Sequence, residues 1–208
     1  MTIDAVIFDI GNVLIEWQPE RFYDAQIGPD RRHAMFAEID LHGMNDLVDR
    51  GGDFREVIYG WAERHPAWRD EIRMWHDRWS EIAGPTIAPS VAILRALRAN
   101  GVPVFALSNF GVGTFAVAER DYDFLGEFDR RFLSGEMRMA KPDAEIYAAV
   151  EAATGLVPER LLFVDDRMDN IAAAAARGWQ THLFDGPDGW AARLVTLGLL
   201  PETGRKAG

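Results

Sequence analysis

Cysteine is missing from all 208 residues. A chain without thiols forms no disulfide and no thiolate metal centre, a composition that suits a reducing compartment. Long apolar runs are missing too, and none approaches the ~18–20 residues that a bilayer-spanning helix needs. Positive charge is scarce: 22 Lys and Arg face 33 Asp and Glu, for a net charge of −11 at pH 7. That balance argues against nucleic acid or an anionic membrane as a partner. The opening MTIDAVIFDI lacks a basic n-region and a long h-region, so no export signal and a cytoplasmic location are expected. Repeats and low-complexity tracts are absent as well.

What is present supports a packed core. Hydrophobic residues make up 48% of the chain and aromatics 11%. The length suits one domain, or one carrying a smaller insert. Only the tail after Pro201, ETGRKAG, is expected to fray. Four short apolar runs, at residues 3–8, 102–107, 161–164 and 181–184, are continuous rather than alternating, as in parallel strands covered on both faces. Helical stretches separate them. Residues 90–99 stop at Asn100-Gly101, Asp143 is placed to cap a helix over 144–154, and residues 171–177 end at Gly178. The expected fold class is α/β, a Rossmann-like parallel sheet.

Residues 18–87 break the alternation and contain no convincing strand. They read as helices at about 19–27, 31–41, 45–50, 54–64 and 68–82, with Gly84-Pro85 and Pro89 marking the return. The expected organisation is therefore a core of residues 1–17 and 88–208 with an inserted all-helical segment, 18–87. Trp61, Trp68, Trp75 and Trp79 fall near one helical stripe, which reads first as helix packing and second as a stacking wall for a sugar.

In open parallel sheets, ligands bind outside the carboxyl ends of the strands. Asp9 follows the first run, Ser108 and Asn109 the second, and Asp165-Asp166 the third, with Asn170 one helical turn on and Lys141 just before a helix. Singly, each is an ordinary turn or cap residue. Together, at successive strand ends, they make a site. Clustered carboxylates cannot all ionise without a cation, and hard oxygen ligands select Mg²⁺. With Mg²⁺ and a lysine the site has a place for phosphate oxygens, and a carboxylate held there can attack phosphorus.

These segments resemble the motifs of the haloacid dehalogenase (HAD) superfamily over nearly the whole chain. VIFDIGNVL resembles the first motif, with Asp9 as nucleophile; ALSN the second, with Ser108 binding the phosphoryl group; MAKPDAEIY the third, with Lys141; and LLFVDDRMDNI the fourth, with Asp166 as metal ligand and Asp165 and Asn170 supporting it. The resemblance implies a phosphoric monoester hydrolase, a helical cap over residues 18–87, and an added hairpin at about 12–17. The expected partner is a small phosphorylated metabolite; the oligomeric state is left open.

One position departs from the pattern. Phosphatases of this family usually carry a second Asp two residues after the nucleophile, where this chain has Gly11. The Gly11 carbonyl can still ligate Mg²⁺, but the acid/base is lost, a function typically worth ~10²–10⁴-fold. The FDxGNV pattern resembles sugar-1-phosphate phosphatases, which suits such a loss. His42 and Glu16 are alternative proton sources. Two other readings stay open: a metal-independent 2-haloacid dehalogenase, with Arg21, Arg31 and Arg32 as candidate halide ligands, and a non-catalytic binding protein that keeps the fold.

Overall fold

A computed structural model describes residues 2–201; the tail ETGRKAG lies outside the described residues. Among the described residues seven strands form, β1 (Ala5–Phe8), β2 (Ile15–Trp17), β3 (Ala83–Thr86), β4 (Val104–Ser108), β5 (Arg130–Leu133), β6 (Leu161–Asp165) and β7 (Gln180–Leu183). Six helices lie between β2 and β3: α1 (Pro19–Ile27), α2 (Pro29–Glu38), α3 (Leu41–Asp49), α4 (Phe54–Arg64), α5 (Arg69–Asp77) and α6 (Trp79–Ile82). The later ones are α7 (Ala88–Ala99), α8 (Val112–Asp121), α9 (Ser134–Met137), α10 (Ala144–Thr154), α11 (Met168–Ala176) and α12 (Pro187–Thr196).

The main sheet is parallel, in the order β5-β4-β1-β6-β7. Its strands alternate between two buried faces. Val6, Phe8, Val104, Ala106, Leu162 and Val164 face one core with Leu94 of α7 and Trp190 of α12. Ala5, Ile7, Phe105, Leu107, Leu161 and Phe163 face another with Ile146, Tyr147 and Ile171. Burying a Val, Ile or Phe fully contributes ~1.5–3 kcal/mol each, which explains why a four-residue strand such as β1 holds the centre of the sheet. The strand order reverses at β1, so the carboxyl ends of β1, β4 and β6 open onto one crevice.

The α/β class and the parallel sheet are as expected, with four differences. β5 joins the sheet edge although RRFL has two exposed arginines and no apolar run to announce it. Residues 18–87 do contain a strand: AGPT forms β3, which pairs antiparallel with β2. The expected local hairpin at 12–17 is thus a ribbon whose second strand comes from the far end of the helices. The helix expected over 68–82 breaks into a 3₁₀ turn, α5 and α6. Finally, Asp143 occupies the N-cap position of α10 without capping it; its carboxylate accepts from Arg50 Nη1 at 3.0 Å instead.

Local chemistry sets the helices before the site. Pro19 and Pro29 open α1 and α2, and Gly28, at φ 81°, makes the turn between them. Asp40 caps α3 by accepting from Gly43 N, and Asp53 caps α4 by accepting from Glu56 N, each at 2.8 Å. In α3, Leu41, Met44 and Val48 face the core. The stripe His42, Asn45, Asp46 and Asp49, at i, i+3, i+4 and i+7, faces the crevice.

Candidate active site

Register brings the strand-end acids together. Phe8 pairs with Val164 and with Ala106, so the next residues, Asp9 and Asp165, lie level, and Ser108 ends the strand on the other side. Asp9 Oδ1 accepts from Ile10 N at 2.7 Å and from Ser108 Oγ at 2.7 Å, and lies 3.0 Å from Lys141 Nζ. Lys141 Nζ also donates to Asp165 Oδ2 at 2.6 Å. The lysine is placed by Asn109: the amide Oδ1 accepts from Lys141 N at 2.8 Å and Nδ2 donates to Lys141 O at 2.9 Å. Asp165 is saturated by N–H donors. Its Oδ1 accepts from Arg167 N at 2.8 Å and its Oδ2 from Lys141, while Asn170 Nδ2 lies 3.0 Å from both oxygens. Asp166 is half-buried, and its Oδ2 accepts from Asn12 Nδ2 at 3.1 Å.

The electrostatics follow from burial. Desolvation raises the Asp9 carboxyl; Lys141 opposes it, and the charges of Asp165 and Asp166 add to it. Burial alone would lower the Lys141 ammonium, but Asp9 and Asp165 outweigh it and hold the group protonated. Asp166 is raised by burial, against the Asn12 hydrogen bond.

Asp9, Asp165 and Asp166 offer ligand oxygens within 4.8 Å of one another. One ammonium against three carboxylates leaves two negative charges uncompensated, the deficit that a divalent cation fills. The donors are all hard oxygens, as Mg²⁺ requires. Asn170 Oδ1 is buried without a donor, and Asn170 lines the cavity above this group, so an acceptor is left over for what binds there. The residues fit the ion.

Above this group lies a cavity of about 360 Å³, a size suited to a small ligand. Gly11, Ile15, Trp17, Trp79, Phe110 and the α3 stripe line it. Of the four stripe tryptophans only Trp79 reaches it; Trp75 packs against Tyr23 and Trp17. Glu16 and His42 line the cavity, but Glu16 is paired with Arg21 and His42 is exposed against Glu20. Arg21, Arg31 and Arg32 do not line it; Arg31 pairs with Glu71 and Arg32 with Asp24. Two contributors were not anticipated from the sequence. Asn12, at φ 53°, is a left-handed asparagine in the GNV turn, and its Oδ1 accepts from Trp17 N at 2.9 Å while its amide reaches Asp166. Asp49 ends α3, where an acid opposes the helix dipole, and that oddity was its sequence signal.

A crevice at a sheet's switch point, with a lysine-held strand-end carboxylate beside an acidic cluster that could hold a cation, is an arrangement suited to a hydrolase. The sequence profile of the haloacid dehalogenase-like hydrolases matches residues 3–178, and the chain belongs to that family. It is 27% identical over 207 residues to the sesquiterpene phosphatase astK of Aspergillus oryzae, a match covering 88% of this chain and 91% of that protein. Among solved structures it superposes on a HAD-like hydrolase of Porphyromonas gingivalis with a TM-score of 0.72 at 21% identity, covering 95% of this chain and 98% of that one. The HAD family enzyme BT-2542 of Bacteroides thetaiotaomicron, in complex with magnesium and inorganic phosphate, superposes with a TM-score of 0.68 at 24% identity over 92% of this chain and 98% of that one. Among the described residues no helix is long and apolar enough to cross a membrane.

Proposed function

We propose that the protein is a Mg²⁺-dependent phosphatase of small phosphorylated metabolites that works through an aspartyl-phosphate on Asp9. The observation that carries this reading is the asymmetry of the Asp9 carboxylate. Oδ1 is engaged by Ile10, Ser108 and Lys141, while no protein donor among the described residues reaches Oδ2. Oδ2 is then the oxygen that attacks phosphorus, and Lys141 and Ser108 orient it. Lys141 also meets phosphoryl charge, with Asn109 fixing its position and adding its own backbone to the cradle. Asp9, the Gly11 carbonyl and Asp166 would hold Mg²⁺, which supplies neutralisation of phosphoryl charge. Asp165 and Asn170 support that arrangement from behind. The helices of residues 18–87 act as a cap that excludes water and selects the leaving group.

The substrate class follows from Gly11 and the cavity wall. Gly11 carries no acid of its own, so a proton must come from the helical side of the cavity; leaving groups stable as anions depend on it least, and an anomeric sugar oxygen is more acidic than an ordinary alcohol. A lining that combines Trp17, Trp79 and Phe110 with the polar side chains of α3 suits a hydroxylated ring. Aldose 1-phosphates, the class taken by the FDxGNV subgroup, are the preferred reading. Similarity to a sesquiterpene phosphatase supports a second, a terpenoid phosphate lying on the same aromatic wall.

The test is hydrolysis of 4-nitrophenyl phosphate with and without Mg²⁺, followed by kcat/KM for glucose 1-phosphate, glucose 6-phosphate and farnesyl phosphate. Mg²⁺-stimulated turnover with the 1-phosphate ahead of the 6-phosphate is expected. Metal-independent halide release from 2-chloropropionate, with no phosphate released, overturns the assignment.

A further inference from the structure

We propose that Asp49, at the end of α3, carries the proton of the reaction in place of the acid missing at Gly11; this rests on the phosphatase reading above. Four side chains that line the cavity from the β2 and α3 side could titrate: Glu16, His42, Asp46 and Asp49. Three are committed or solvated. Glu16 is held by Arg21 at 2.5 Å, His42 is 61% exposed beside Glu20, and Asp46 is paired with Arg50 at 2.9 Å. Asp49 differs: among the described residues it has no cationic partner. Its Oδ1 accepts from Gly111 N at 3.1 Å and its Oδ2 from Asn45 Nδ2 at 2.8 Å, both neutral donors. Trp75 Nε1 donates to Asn45 Oδ1 at 3.1 Å, so the Asn45 amide is turned with its N–H group toward Asp49.

The position is built rather than incidental. Ser134 Oγ donates to Asp49 O at 2.5 Å, and Phe110 N donates to Ser134 Oγ at 2.8 Å. A Cβ on Gly111 would meet Val48 O at 2.9 Å, and one on Gly51 would meet Gly135 O at 2.9 Å, so backbone contact seats the end of α3 against the loop after β4. Burial pushes the Asp49 carboxyl up to about 8; the Gly111 N–H opposes this, and Asp46 on its own helix and Asp9 from β1 add to it. The nearby cations are taken: Arg50 by Asp46 and Asp143, Lys141 by Asp9 and Asp165. Burial and its acidic neighbours thus favour the protonated carboxyl.

The balance closes over two steps. As the Asp9–phosphorus bond forms and the bond to the leaving oxygen breaks, the Asp49 carboxyl gives its proton to that oxygen. Water then attacks phosphorus, the Asp49 carboxylate takes its proton, and the Asp9–phosphorus bond breaks to release phosphate.

The experiment compares kcat/KM of wild type and Asp49→Asn, with Mg²⁺, on 4-nitrophenyl, phenyl and a primary alkyl phosphate. Loss of about a hundredfold or more on the alkyl ester, and only a few-fold on 4-nitrophenyl phosphate, is expected, since general acid help matters most for poor leaving groups. An equal loss on all three, or no loss, overturns the proposal. The wild-type pH profile asks the same question without a variant. The alkyl ester alone should show an alkaline fall as Asp49 loses its proton; a fall shared by 4-nitrophenyl phosphate overturns the role. Failure of the phosphatase reading is distinguishable, because the wild type then turns over none of the three esters and both readings fall together.

Discussion

The two walls of the cavity are built on opposite principles. On the sheet side Asp9, Lys141 and Asp165 are 7%, 3% and 0% exposed and are fixed by strand register and N–H donors. On the helical side His42 and Asp46 are exposed, and Asn45 and Asp49 are half-buried on the polar stripe of one helix. The first wall has one arrangement, since any shift leaves a buried charge unpaired. On the second, His42 and Asp46 can change without disturbing the sheet, whereas Asp49 is seated against the loop after β4 through Gly111 and Ser134. The sheet wall is thus fixed throughout, and the helical wall only where it meets that loop.

The largest test of that division is Asp9→Asn. An amide cannot form the acyl-phosphate, so kcat should fall by roughly 10³-fold or more while the circular dichroism spectrum is unchanged. More than a few per cent residual turnover in a pure sample removes Asp9 as nucleophile. Lys141→Ala comes next. It leaves Asp9 and Asp165 buried and unpaired, at a cost of about 3–5 kcal/mol in denaturant melts, and it should depress kcat/KM as well. An unchanged kcat/KM would mean that the lysine is structural only.

Asp166→Asn and Asp165→Asn divide the rigid wall itself. Asp166 takes only the Asn12 amide, whereas both oxygens of Asp165 are taken by N–H donors. The first variant should raise the Mg²⁺ needed for half-maximal activity ~10–100-fold, and the second should mainly lower Tm. A Mg²⁺ titration showing the reverse order moves the metal ligand to Asp165. The smallest effect is expected from Gly11→Asp. The nearest atom to a Cβ there is Trp17 Cβ at 3.9 Å, and the backbone is not left-handed, so the side chain is admitted. With Asp49 already carrying the proton, the ratio of glucose 6-phosphate to glucose 1-phosphate hydrolysis should change by no more than about twofold. A severalfold rise in that ratio would show that the leaving oxygen lacks an efficient proton donor in the wild type.

The same division governs what could be read from the sequence. Asp9, Ser108, Asn109 and the Asp165-Asp166 pair were legible because continuous apolar runs end at them, and buried parallel strands present their carboxyl ends together. β5 was not, because its arginines sit at a sheet edge where polar side chains are tolerated. β3 was not, because Gly84 and Pro85 disfavour strands, and it forms only through pairing with β2. Asn12 acts through a partner far along the chain, Asp166, of which local pattern carries no trace; Asp49 leaves only the oddity of an acid at a helix C-terminus, which says nothing of its contact with Gly111. Asp143 shows the converse: a good capping residue in a capping position, drawn away by an arginine 93 residues earlier.

The β2–β3 ribbon bears on how the helices are held over the crevice. Ile15 pairs with Thr86 and Trp17 with Ala83, and Ile87 N donates to Leu14 O at 2.8 Å, so the chain leaves and re-enters the sheet domain at neighbouring points. The intervening helices are therefore tethered at a single narrow neck, and their orientation over the crevice is set by a second, distant seat: Gly111 N on Asp49, Ser134 Oγ on the Asp49 carbonyl and Arg50 on Asp143. A two-point attachment of this kind resists hinging about the neck alone, so the cavity between the two walls keeps a fixed height.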